Sequence, residues 1–137
     1  MGWFGHNIYD GDGTQTVHYN FLKWAKCGTE DQISEWLEYN KTIIPAEKIA
    51  IFQKNIDKVL KKMPKVKYWN EYAAIEWQML LALFVDNKIP VPKLILEKGI
   101  DATYYLMQDD ADEFDEPGKR RRCLKAFIKK AEDLKII

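Results

Sequence analysis

His6, Asp10, Asp12 and His18 are the side chains of this sequence best suited by type and proximity to hold a divalent cation. Imidazole and carboxylate together suit zinc, and carboxylates suit the harder calcium and magnesium ions. Asp10-Gly11-Asp12-Gly13 has the look of a calcium loop, but the register fails when counted from Asp10. Gln15 falls where such a loop needs glycine, and Phe21 where it needs a bidentate glutamate. The spacing fits no zinc motif either, so no metal site and no cofactor are assigned. Asp10 and Asp12 are read as Asx-turn and helix-capping residues, and His18 as a partly buried structural histidine. A small metal-dependent hydrolase using His6, Asp10, Asp12, His18 and Glu76 stands as an alternative function.

Glu76 draws notice because of its surroundings. It lies in Asn70–Val85, the most apolar stretch of the chain, interrupted only by Glu76 and Gln78. At about 100° per residue, Ala73, Ala74, Trp77, Leu80, Leu81 and Phe84 share one face, and Tyr72, Met79 and Leu83 widen it. A stripe through Glu71, Gln78 and Asp86 remains for solvent. A helix apolar over most of its circumference is buried, and this one is shorter than the roughly 20 apolar residues that span a bilayer. Asn70 is the expected N-cap. Glu76 falls on the buried side between Tyr72, Leu80 and Leu83, where a carboxylate needs a partner or takes up a proton. Arg120, pointing into the apolar arc of the last helix, is the expected partner, because a guanidinium pairs bidentately with a carboxylate.

The remaining elements follow from periodicity and punctuation. Residues 15–26 carry Val17, Phe21, Trp24 and Ala25 at helical spacing, with Gly28 as the stop. Thr29 and Gln32 form a capping box for a second helix to about Tyr39 or Asn40. Pro45 opens a third helix over 45–63, with Ile49, Phe52, Ile56, Val59, Leu60 and Met63 inward. Lys54, Lys58, Lys61 and Lys62 lie on its outer surface, followed by Lys65 and Lys67, and this basic run reads first as a solvated face. Pro90 and Pro92 fix a turn. Residues 93–98 read as a short helix ended by Gly99 at C′, with Asp101 capping a further helix to about Asp110. The final helix covers about 117–134.

At 137 residues, with 21 basic and 21 acidic side chains, the chain is long enough for one well-buried domain and has no global bias toward nucleic acid or anionic membrane. Asp109, Asp110, Asp112, Glu113, Asp115 and Glu116 are segregated in an acidic run, where carboxylates near a helix C-terminus oppose the dipole and suggest a partner, either the nearby Lys119–Arg122 run or something outside the chain. Cys27 and Cys123 are far apart and lack metal-like spacing, so free thiols are expected. No basic segment precedes an apolar one in the manner of a secretory signal, and a cytoplasmic location is the expectation.

Met1-Gly2-Trp3-Phe4-Gly5-x-x-Ile8-x-x-Gly11-Asp12 resembles the opening of a family of small bacterial proteins without a settled activity, which begin Met-Gly-x-Trp-Gly-x-x-(Ile/Phe)-x-x-(Asn/Gly)-Asp. Ala73–Leu83 and Asp115-Glu116-Pro117-Gly118-Lys119-Arg120 are similar to that family's apolar middle helix and late acidic-Pro-x-Arg segment. Phe4 departs from the pattern, with the tryptophan one place earlier at Trp3. The resemblance implies a bacterial or phage origin and an immunity or defence role. Combined, these readings give one all-α domain over 1–137, with about six helices around a buried central one. A glycine-rich N-terminal loop is expected to dock on that helix. The function expected is non-enzymatic protein binding, of an immunity or inhibitor kind, through the acidic run. Nucleic-acid binding through the lysine- and arginine-rich helices is the further alternative, with no membrane partner.

Overall fold

The central helix begins as its sequence requires: Asn70 Oδ1 accepts the Ala73 N–H at 2.9 Å, filling one of the donors left open at a helix start. In the computed structural model, which describes residues 14–40, 44–108 and 119–137, the described chain is all-α. Its helices are α1 (Thr14–Trp24), α2 (Glu30–Asn40), α3 (Ala46–Lys54), α4 (Ile56–Leu60), α5 (Glu71–Asn87), α6 (Lys93–Gln108) and α7 (Lys119–Glu132). Every α5 residue from Ala73 to Phe84 except Glu76 is buried. Helix α6 packs along α5 most extensively, α1 and α7 also flank it, and α2 packs on α1. The expected N-terminal loop lies outside the described residues.

Helix ends are closed by local bonds. The capping box at α2 is reciprocal: Gln32 N–H donates to Thr29 Oγ1 at 3.2 Å, and Thr29 N–H to Gln32 Oε1 at 3.0 Å. Helix α1 ends in a Schellman motif at Lys26 (φ 58°) rather than at Gly28. Cys27 N–H donates to Leu22 O and Lys26 N–H to Lys23 O, both at 3.0 Å. Helix α5 ends the same way at Lys88 (φ 52°), where Ile89 N–H reaches Phe84 O. In both, the apolar residue after the left-handed one, Cys27 or Ile89, is buried, the hydrophobic contact that accompanies this cap.

Three expectations need correction. The helix expected over 45–63 breaks at Asn55, whose Nδ2 donates to Ala25 O at 2.9 Å. Asparagine competes with helical backbone for hydrogen bonds, and here its amide serves a carbonyl beyond the end of α1. Residues 93–108 form one helix, not two, with Gly99 inside it. A Cβ at Gly99 would lie 2.6 Å from Leu81, so this glycine permits the close α5–α6 approach instead of ending a helix. The buried arc of α5 also differs from the one expected. Gln78, expected on the solvated stripe, is 0% exposed, while Tyr72, expected inside, is 62% exposed.

Gln78 is accommodated by a buried polar chain. Its Nε2 donates to Thr103 Oγ1 at 3.2 Å, and Thr103 Oγ1 donates to Gly99 O at 2.8 Å. Apart from His18, the rest of the described core is apolar and aromatic, as in the Phe52–Phe84 contact at 5.6 Å between ring centroids. Beyond α7, Val91 and Ile136 form a parallel bridge, with Val91 N–H donating to Lys135 O at 2.8 Å. No helix among the described residues is long and apolar enough to cross a membrane.

Candidate partner-binding face

The connector between α4 and α5 presents the most exposed aromatic surface among the described residues. Pro64 cannot continue a helix from the preceding turn, and Trp77 Nε1 donates to Pro64 O at 3.1 Å, tying the connector to α5. The chain then runs Lys65-Val66-Lys67-Tyr68-Trp69 to the Asn70 cap. Tyr68 is 77% exposed, and Tyr72 stands on the first turn of α5. Lys61, Lys62, Lys65 and Lys67, which precede Tyr68 in the chain, are all exposed.

Two lysines stand over aromatic rings here. Lys67 Nζ lies 5.7 Å from the Tyr68 ring centroid, and Lys98 Nζ lies 5.8 Å from that of Trp69. Lys98 comes from α6, so the face joins the connector to a second element. The Gly99–Leu81 approach, one residue beyond Lys98, holds α6 close to α5 at this level. Between the two elements is a cavity of about 230 Å³ lined by Pro64, Val66, Lys67, Trp69, Trp77, Lys98 and Asp101. A more open groove of about 720 Å³ lies at the other end of α5, where Lys88, Lys130 and Lys135 mix with Asp86 and Asp133 over Val85, Ile89, Pro90 and Leu134.

The residues singled out from sequence are distributed differently. Glu76 is half-buried, and burial raises its carboxyl above the ordinary 4.5. Its expected partner Arg120 lies on the first turn of α7, with its side chain outside the described residues. His6, Asp10 and Asp12 lie outside them, as do Asp109, Asp110, Asp112, Glu113, Asp115 and Glu116. His18 is in the core, 3% exposed, edge-on to Phe21 with ring centroids 6.4 Å apart. Burial lowers its pKa to about 4, against the pull of a hydrogen bond with the Met79 backbone. Imidazole is therefore neutral at pH 7 and acts as a polar link between α1 and α5. Among the described residues, no group of three or more His, Cys, Asp and Glu side chains is placed to hold a metal. Cys27 and Cys123 are free thiols, and burial pushes the Cys27 thiol up to about 11, which suppresses the reactive thiolate.

Tyr68, Trp69, Lys98 and Asp101 were not singled out by periodicity. A signal existed in Lys65-Val66-Lys67-Tyr68-Trp69: lysines and large aromatics follow one another outside any amphipathic repeat, and while Trp69 packs partly against the core, Tyr68 is left exposed. Comparison of the chain with protein-family models, curated proteins and solved structures found no match.

Proposed function

We propose that this protein is a non-enzymatic binding module that engages an acidic protein partner through the Lys61–Tyr72 face. The observation that carries the reading is the exposure of Tyr68 and Tyr72 among Lys61, Lys62, Lys65 and Lys67. Tyrosines contribute large contact area at low entropic cost, and they are enriched where interfaces concentrate binding energy. The lysines provide charge complementarity to an acidic surface and favour rapid encounter. The neutral whole-chain charge supports a local, protein-type contact over the general electrostatic attraction on which nucleic-acid binding depends. Asp109–Glu116 serves as a second contact, for a basic part of the partner. An immunity or inhibitor role fits such a module and accords with the family resemblance of the N-terminal sequence.

The reading is tested by titrating the protein with poly-glutamate and with oligothymidylate at low and moderate salt. Poly-glutamate should bind, and the variant with Lys61, Lys62 and Lys65 changed to Glu should lose most of that affinity. Tyr68→Ala with Tyr72→Ala should weaken binding without changing its salt dependence. Tighter binding of oligothymidylate than of poly-glutamate would overturn the proposal in favour of a single-stranded nucleic-acid surface, in which bases stack on the exposed rings.

A further inference from the structure

The cavity beside Trp69, at about 230 Å³, is smaller than the roughly 300–1,000 Å³ of sites that enclose whole cofactors or drug-sized ligands. Its size suits a single side chain. Two of its lining residues carry ammonium groups, Lys67 and Lys98, against one carboxylate, Asp101. Neither lysine is held in an ion pair among the described residues. Each stands over a ring instead, a weak contact at an exposed site that leaves its N–H groups available to an anion. The Trp77 N–H is already committed to Pro64 O, and the surface that the cavity exposes is mostly polar, with the charge supplied by the two lysines.

We infer that this cavity is the anchor pocket of the binding face and takes one acidic side chain of the partner, a carboxylate or a phosphate monoester. The stem of that side chain lies on Trp69 and its anionic head meets Lys67 and Lys98. The inference rests on the acidic-partner reading and extends it by naming the chemistry the partner must insert. Asp101 opposes the anion and limits affinity, while its oxygens accept N–H groups from the partner backbone.

The test is a titration of the whole chain with hexaglutamate, hexaphosphoserine and hexaglutamine, followed through the indole N–H resonances of Trp69 and Trp77. One of the anionic peptides should shift both resonances, and hexaglutamine should shift neither; the tighter anionic peptide identifies the head group. Lys67→Gln and Lys98→Gln should each weaken binding about three- to fivefold, as expected for loss of a solvent-accessible ion pair. Asp101→Asn should strengthen it, an outcome that damage to the fold would not produce. If Lys67→Gln and Lys98→Gln bind as well as the parent while Lys61→Gln and Lys62→Gln bind less well, the anchor pocket is wrong and the acidic-partner face stands. If neither anionic peptide binds the parent, both fall.

Discussion

Gln78 is a costly residue in its position. It is fully buried on the central helix, its Nε2 is satisfied by Thr103, and its Oε1 has no hydrogen-bond partner among the described residues. A buried polar atom without a partner costs about 1–3 kcal/mol, whereas removing the whole polar group removes that penalty. Gln78→Met should therefore be neutral or stabilising. Thr103→Val should be destabilising by about 1–3 kcal/mol, because the Gln78 amide then loses its acceptor as well. In the double variant, Thr103→Val should cost much less than it does alone. Urea unfolding of the four proteins measures these differences, and equal costs of Thr103→Val in both backgrounds would show that the contact carries no energy. Glu76 is a milder case of the same tension. Its carboxyl is raised by burial, so it takes stability away as pH rises from the unfolded value through the folded one.

At the scale of the element, what could be read in advance was what depends on neighbours in the chain. Asn70 and the Thr29–Gln32 box act within one turn, and both were legible. The burial of α5 was legible because nearly its whole circumference is apolar. What was missed depends on contacts between elements. Gly99 looked like a helix stop, since a glycine that frees the backbone and one that admits a neighbouring helix are the same residue in sequence. Gln78 looked solvated because Thr103 lies on another helix, and Tyr72 looked internal because nothing in α5 says that the α4–α5 connector leaves it open. The break at Asn55 depends on a carbonyl at Ala25. The candidate face shared this difficulty: its lysine–aromatic run was visible, but the cavity needs Lys98 and Asp101 from α6. Gly99→Ala tests the close approach directly. A Cβ 2.6 Å from both Cβ and Cδ2 of Leu81 must push α6 away, at a cost of about 1–3 kcal/mol by overpacking. Leu81→Ala, which removes Cδ2 but not Cβ from the contact, should cost less in the Gly99→Ala background than in the parent, as read by chemical denaturation.

His18 couples the stability of the whole molecule to pH. Its folded pKa of about 4 lies below the ordinary 6.5 because burial disfavours the cation. The unfolded chain thus takes up this proton first as pH falls. Stability from this group is fully present above about pH 6.5 and is lost progressively down to about pH 4, by about 3 kcal/mol in total. His18→Leu should flatten the pH 4–6.5 slope of unfolding free energy while leaving carboxylate-linked changes in place; an unchanged slope would place the titration elsewhere. The burial of α5 has a further consequence for how the molecule opens. Helices α1, α6 and α7 all pack on α5, so the amides of the buried Ala73–Phe84 segment should exchange with solvent deuterium only when the domain unfolds. The Lys65–Tyr68 connector has few such protections and exchanges through local openings. The Lys65–Tyr68 part of the face should therefore adjust to a partner on a timescale far shorter than the lifetime of the core, to which Trp69 and Tyr72 stay fixed.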